Sequence, residues 1–283
     1  MSFETVSLVT HNDPAVTAAA LPRLVAAAER LGARIVASAE ERDRHGIGQE
    51  SSIGPEEGSS PDLRVCLGGD GTILRGLRAS AGTHTPVFGI NFGEVGFLAA
   101  CDPEDTGIDE AFDAALNGRF DRLDMPAMRL ALDGAPPGFN DVCVQRRVGL
   151  RIADVAYSIG SDEVGRVRCD GVVVATPAGS TGYNLANGGP VVAWGVEGFA
   201  VSFIAPHSLT ARALVVAPDD TVRLSNMSST EPVDLTVDGR PVGEIPGGAH
   251  VDVSFDRAAA VLAQLPDSSF YHRLREKFGR LAS

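Results

Sequence analysis

The chain has 283 residues, 44% hydrophobic and 22% charged, enough for one large domain or two modest ones, each with its own core. A net charge of −13, with Lys277 the single lysine, argues against nucleic-acid binding, because phosphate neutralisation needs clustered positive charge. No apolar run reaches the roughly 20 residues of a membrane-spanning helix, and the start lacks the basic and apolar stretches of a signal peptide. The expected setting is cytoplasmic, with no membrane partner.

From the N-terminus, "ETVSLVTH" reads as a buried strand and "PAVTAAALPRLVAAAERLGA" as an alanine-rich helix ending at Gly32. "RIVAS" is a second strand. Between Glu40 and Asp62 the chain is polar and holds Gly46, Gly48, Gly54, Pro55, Gly58 and Pro61, which predicts an exposed, mobile connection. "LRVCLGGDGTILRGLRASA" is strand, glycine turn and helix. "TPVFGINFGEVGFLAA" gives a strand and an irregular glycine loop, and "DTGIDEAFDAALNG" a helix stopping at Gly118. This alternation predicts a Rossmann-like α/β domain with a parallel sheet over residues 1–124.

After about Met125 the pattern changes. "RLALDG", "FNDVCVQR", "RIADVAYSI", "FAVSFIAP", "TVRLSN", "VDLTVDG" and "HVDVSFD" are short and mostly alternating, the signature of a mainly antiparallel β domain over 125–265. "DGVVVATP" is continuously apolar and predicts a central strand. Phe270, Leu274 and Phe278 share one face of a C-terminal helix, so 266–283 is expected to pack back on the first domain. Cys66, Cys101, Cys143 and Cys169 form no Cys-x-x-Cys pair, which predicts buried reduced thiols, not zinc ligands or a disulfide framework.

Two segments carry chemistry. In "VCLGGDGTILRGLR", glycines permit positive φ and remove Cβ atoms that would obstruct a phosphate. The following helix N-terminus offers free N–H groups, with Thr72 placed as its cap. Asp70 would repel phosphate. It fits a base for an attacking hydroxyl, a carboxylate acting through a bridging Mg²⁺, or a plain turn former. Neither a Walker A lysine nor a dinucleotide fingerprint is present. Arg75 and Arg78 either assist the phosphates or form a solvated face. The other segment, "TPAGSTGYNLANGGP", is too poor in bulk to build core, so it must turn the chain or let backbone approach something closely.

"DGVVVATPAGSTGYNLANGGPVV", preceded by "FNDVCV" and followed by "IAPHSLTARALVV", closely resembles the NAD kinase family, as does "PVFGINFGEVGFLA". The resemblance runs in order from about Val65 to Arg240. GGDGT alone is shared with diacylglycerol-type lipid kinases and, in a close variant, with phosphofructokinases. The resemblance implies phosphorylation of the adenosine ribose 2′-hydroxyl of NAD by ATP, or in some members polyphosphate, with Mg²⁺ or another divalent metal. It implies that Asp70 is the general base, within the phosphate-facing turn of Gly69, Gly71 and Thr72. Asn140 and Asp141 would hold ribose hydroxyls and the adenine end, a place where a carboxylate accepts hydrogen bonds. Arg168 and Asp170 in "RCDG" match the family's lead-in, with Asp170 near the nicotinamide or a neighbouring subunit, and Arg151 matches a ligand-side arginine by spacing. Thr181, Gly182, Tyr183, Asn184, Leu185 and Ala186 would form a wall against adenine and ribose, and Gly188–Pro190 would turn into a following helix.

The chain departs from the family at Ala178 (usually Thr or Ser), Gly182 (usually Ala), Glu94 (often Arg) and Arg240 (often Gln), which bears on donor preference, affinity and subunit contacts. His207 is expected to be structural. A homo-oligomer, dimer or tetramer, follows from the resemblance alone. The rival readings are a lipid or sugar kinase sharing the glycine turn, and a non-catalytic NAD sensor.

Overall fold

A computed structural model describes residues 3–47, 52–58, 60–93, 96–102, 107–266 and 268–279. In chain order the first elements are β1 (Thr5–Thr10), α1 (Leu21–Leu31), β2 (Arg34–Ala37), α2 (Ala39–Arg44), β3 (Ile53–Pro55), β4 (Leu63–Leu67), α3 (Asp70–Ala79), β5 (Pro86–Ile90) and α4 (Ile108–Leu116). Then follow β6 (Asp121–Leu130), β7 (Asp141–Arg146), β8 (Ala153–Ile159), β9 (Asp162–Cys169), β10 (Gly171–Ala175) and α5 (Tyr183–Ala186). The last are β11 (Phe199–Ile204), β12 (Leu214–Val216), β13 (Val222–Asn226), β14 (Val233–Val237), β15 (Arg240–Ile245), β16 (His250–Gln264) and α6 (Phe270–Phe278). Two compact units result, Met1–Met125 with Ala260–Ser283, and Pro126–Ala259.

In the first unit β3-β2-β1-β4-β5 form a parallel sheet. The end of β16 adds to it, Val261–Ala263 pairing in parallel with Pro86–Phe88. Residues 260–265 therefore belong with this unit, a correction to the boundary expected at 265. β4 and β5 are buried along their whole length, as befits parallel strands covered on both faces. The helix expected from Pro14 begins only at Leu21. Asp13 caps a short 3₁₀ turn at Pro14–Val16, and Pro22 falls in the first turn of α1. One unbroken helix would set Pro22 in its interior, at a cost of about 3 kcal/mol. Gly32, φ 73°, ends α1 in the left-handed conformation.

The polar stretch after Glu40 is not simply a connection. It contains α2, whose Glu41 N–H donates to Ser38, and β3 on the sheet edge; residues 48–51 and 59 lie outside the described residues. Glu41 is buried, and its carboxylate accepts Thr10 Oγ1–H at 2.6 Å and pairs with Arg44 at 2.7 Å. Glu41, Ile53 and Pro61 are buried but Glu40, Asp43, Gly46, Pro55 and Glu57 are exposed, so the expected exposure holds for much of the stretch and what composition misses is α2 and β3.

In the second unit, β12-β11-β10-β7-β14-β15 form a wholly antiparallel sheet. The start of β16, β13, β8 and β9 form a further antiparallel set. One core gathers Val155, Tyr157, Val222 and Leu224 from the latter with Val142, Val144, Val172, Val174, Val201 and Leu235 from the former. β10 is central and buried on both faces, its other face meeting Cys143 and Ile204, which explains its continuous apolar run. All four cysteines are buried and free. Burial pushes the Cys66 and Cys101 thiols up to about 12. Among the described residues no helix is long and apolar enough to cross a membrane.

Candidate functional site

In the first unit the glycine turn follows β4 at the carboxyl end of the parallel sheet, where ligands of such sheets bind. The N-cap of α3 is Gly69, in extended backbone and without a side-chain cap. Thr72 is therefore not the cap. It lies inside the helix, buried, with its side chain in the space that a Cβ at position 68 would fill, so glycine is required at Gly68. The uncapped start keeps first-turn N–H groups available to an anion. A Cβ at Gly69 or Gly71 would meet nothing within 4 Å, so open space borders the turn.

Asp70 is oriented from across this unit. Its Oδ2 accepts the N–H of Phe97 at 2.9 Å and its Oδ1 that of Leu98 at 3.0 Å. Gly96 is required beside it, since a Cβ there would collide with the carboxylate. Asn91 shapes the same loop, accepting from Gly93 N–H and donating to Asp102; Glu94 lies outside the described residues. Arg75 is neither a solvated charge nor an open phosphate ligand. It donates to the Thr10 carbonyl, to Asn12 and to Glu41, fastening the loop after β1 to α3.

In the second unit, Asn140 and Asp141 enter β7. Sequence reasoning missed the residue that holds them. Asp238 and Gly239 form a two-residue hairpin turn, both at positive φ (47° and 71°), as expected for an Asp-Gly turn of type I′. The Asp238 carboxylate accepts N–H groups from Phe139 (3.2 Å), Asn140 (2.7 Å) and Asp141 (3.2 Å). Its own N–H donates to the Asp141 carbonyl at 2.9 Å. The Asp-Gly pair in "VDGR" was the available signal. Burial, then the nearby Asp238 charge, pushes the Asp141 carboxyl up to about 7.

Small residues in "TPAGSTGYNLANGGP" are explained by backbone proximity. Thr176 donates its hydroxyl to the Phe139 carbonyl (2.6 Å) and its N–H to that of Asn140 (2.9 Å). Gly179 lies so close that a Cβ would collide with the Asn140 backbone. Thr181 bonds back to Ala178, and the Tyr183 hydroxyl accepts from Gln145 at 2.9 Å. Gly182, Tyr183 and Ala186 are exposed and Leu185 is half-buried. Asn184 departs from the expected wall: it is fully buried, donating to the Ser180 and Pro190 carbonyls. Gly189 packs against it with no room for a Cβ, and the next element is β11, not a helix.

The structure thus gathers Asn140, Asp141 and residues 176–186 of the second unit. Asp170 pairs with Arg146 at 2.5 Å, and the Arg146 N–H donates to the Asp170 carbonyl. Arg151, Arg168 and Arg240 are exposed, the last two on edge strands, with no hydrogen bond to the gathered segments among the described residues. His207 is exposed, and its backbone N–H donates to the Arg168 carbonyl. Among the described residues, no three His, Cys, Asp or Glu side chains cluster as metal ligands.

Residues 25–120 match the ATP-NAD kinase N-terminal domain and residues 139–264 the ATP-NAD kinase C-terminal domain. An NAD kinase of Rhodopirellula baltica is 34% identical over 224 residues, 77% of this chain and 71% of that protein. A solved NAD kinase from Archaeoglobus fulgidus in complex with ATP is 27% identical, with TM-score 0.73 over 97% of each chain. Yeast NADH kinase complexed with NADH, at 23% identity, shares the fold: TM-score 0.87 over 100% of this chain and 89% of that one.

Proposed function

Because the chain belongs to the NAD kinase family, we propose that it transfers the terminal phosphoryl group of ATP to the 2′-hydroxyl of the adenosine ribose of NAD, giving NADP and ADP. Asp70 takes the 2′-hydroxyl proton as the oxygen attacks the γ-phosphorus and the bond to the β-phosphate bridge breaks. The observation behind this role is a carboxylate aimed by two N–H groups at a helix start whose surroundings are open. The backbone N–H groups of Gly69, Asp70 and Gly71, ahead of the Thr72 N–H that closes the first turn onto the Gly69 carbonyl, receive phosphate oxygens as their charge grows.

The second unit holds the dinucleotide. Asn140 and Asp141 accept from and donate to its hydroxyls, and the exposed Tyr183 ring lies against the base. Arg151, Arg168, Asp170 and Arg240 are outer contributors to binding. The divalent ion, implied by the family resemblance, enters with the donor phosphates as Mg-ATP; each Asp70 oxygen accepts one N–H group and keeps a lone pair for the hydroxyl proton. Polyphosphate as an alternative donor, a homo-oligomeric assembly and a cytoplasmic setting rest on family resemblance.

Incubation with NAD, ATP and Mg²⁺ should yield NADP, whereas a lipid or sugar kinase or a sensor would yield none. Asp70→Asn should lower kcat by at least ~10²-fold with NAD binding largely retained. Undiminished activity in that variant would remove the base assignment.

A further inference from the structure

We propose that Phe97 is a positioning residue for Asp70, and that α6 acts on the reaction through it; this rests on the reading of Asp70 as the base. The two donors that fix the Asp70 carboxylate are consecutive backbone N–H groups, Phe97 and Leu98. A carboxylate held at both oxygens by one loop takes its orientation from that loop. What holds the loop is α6 and the residues before it. The buried Phe97 ring lies 6.1 Å from the Phe270 ring and 5.9 Å from the Phe278 ring, centroid to centroid. Lys277 Nζ stands 4.8 Å from its centre, a cation over an aromatic face.

The next residue is anchored as well. The Leu98 carbonyl accepts from Gln264 Nε2 at 2.8 Å, and Gln264 Oε1 accepts from Arg273 of α6 at 2.8 Å and from the Ser268 hydroxyl at 3.1 Å. Ring packing holds the Phe97 side chain and the polar relay holds the Leu98 carbonyl, so both anchors act on the two residues whose N–H groups orient Asp70. Small displacements matter at a reacting oxygen, where about 1 Å costs on the order of 10²-fold in rate. The helix thereby contributes to catalysis without touching substrate.

The test is a double-mutant cycle on kcat. Phe97→Ala is the direct perturbation. Phe278→Ala, on a ring 38% exposed, perturbs the same contact with little risk to folding, and Phe278→Tyr preserves the ring. Each alanine variant should lower kcat about tenfold or more, leave KM for NAD within about twofold, and lose nothing further in the Asp70→Asn background. Phe278→Tyr should restore the rate. An equal fractional loss with and without Asp70, or unchanged kcat, overturns the positioning role while leaving the base intact. Full activity in Asp70→Asn alone is a separate outcome, which overturns the base reading and this inference with it.

Discussion

Replacing Asp141 by Asn tests the electrostatics of the buried carboxyl at the start of β7. Burial and the Asp238 charge raise this group from 3.8 to about 7 in the folded protein. At about 1.4 kcal/mol per pH unit, that rise is worth about 4 kcal/mol. The sign follows from proton counting: between pH ~4 and ~7 the folded state keeps a proton that the unfolded chain has lost, so stability falls as pH rises through that window and levels off above it. Asn carries no such proton. The stability of Asp141→Asn relative to wild type should therefore climb by about 4 kcal/mol between pH 4 and pH 7.5. With an m-value of roughly 2 kcal/mol/M in urea, the relative midpoint should move by about 2 M. Trp194, the single tryptophan, lies in the second unit, so its fluorescence reports that unit. Taking the difference between variant and wild type cancels the titration of every other group. Parallel midpoint profiles across this pH range would refute the reasoning.

Gly179→Ala should separate backbone proximity from mere flexibility. Its Cβ has only the Asn140 backbone to displace, so the Trp194 midpoint should fall by the equivalent of about 3 kcal/mol, the upper end for overpacking, and KM for NAD should rise about tenfold or more. Gly182→Ala is the contrast: its Cβ would meet only the Gly179 carbonyl at 3.4 Å, so the midpoint should shift by the equivalent of less than about 1 kcal/mol and KM for NAD by less than about twofold. Excess EDTA should stop turnover, with recovery on adding Mg²⁺, while leaving the urea midpoint unchanged; a lowered midpoint would mean a resident structural ion.

Legibility from sequence followed burial. β4, β5 and β10 were evident because both faces are covered and their runs are apolar. β3, β9, β12 and β15 were not recognised, and all four are sheet edges. An edge strand has one neighbour and is kept short, charged or proline-bearing against unwanted pairing; Pro55, Arg166 and Pro241 are examples. α2 escaped notice because its six residues, Ala39–Arg44, carry no apolar stripe; Glu41 is held by Arg44 within it and by Arg75 of α3. In the site, the glycine turn and the Thr176–Pro190 segment were legible as motifs, but the direction of individual side chains was not. Thr72 and Asn184 both turned inward, where a packing space or two carbonyls needed them. Asp238 acts on residues about a hundred positions away, and only the hairpin geometry reveals that reach.

The first unit is assembled from two separated stretches, with the second unit inserted between them. On a ribosome the inserted portion can close on itself while its host is still missing the last strand segment and helix. Vectorial synthesis thus withholds the finished glycine-turn environment until residues 260–279 have been made. A nascent chain stalled or clipped shortly after Ala259 would carry a complete antiparallel body and an unfinished parallel sheet, with the β5 edge bare and prone to pairing with other chains.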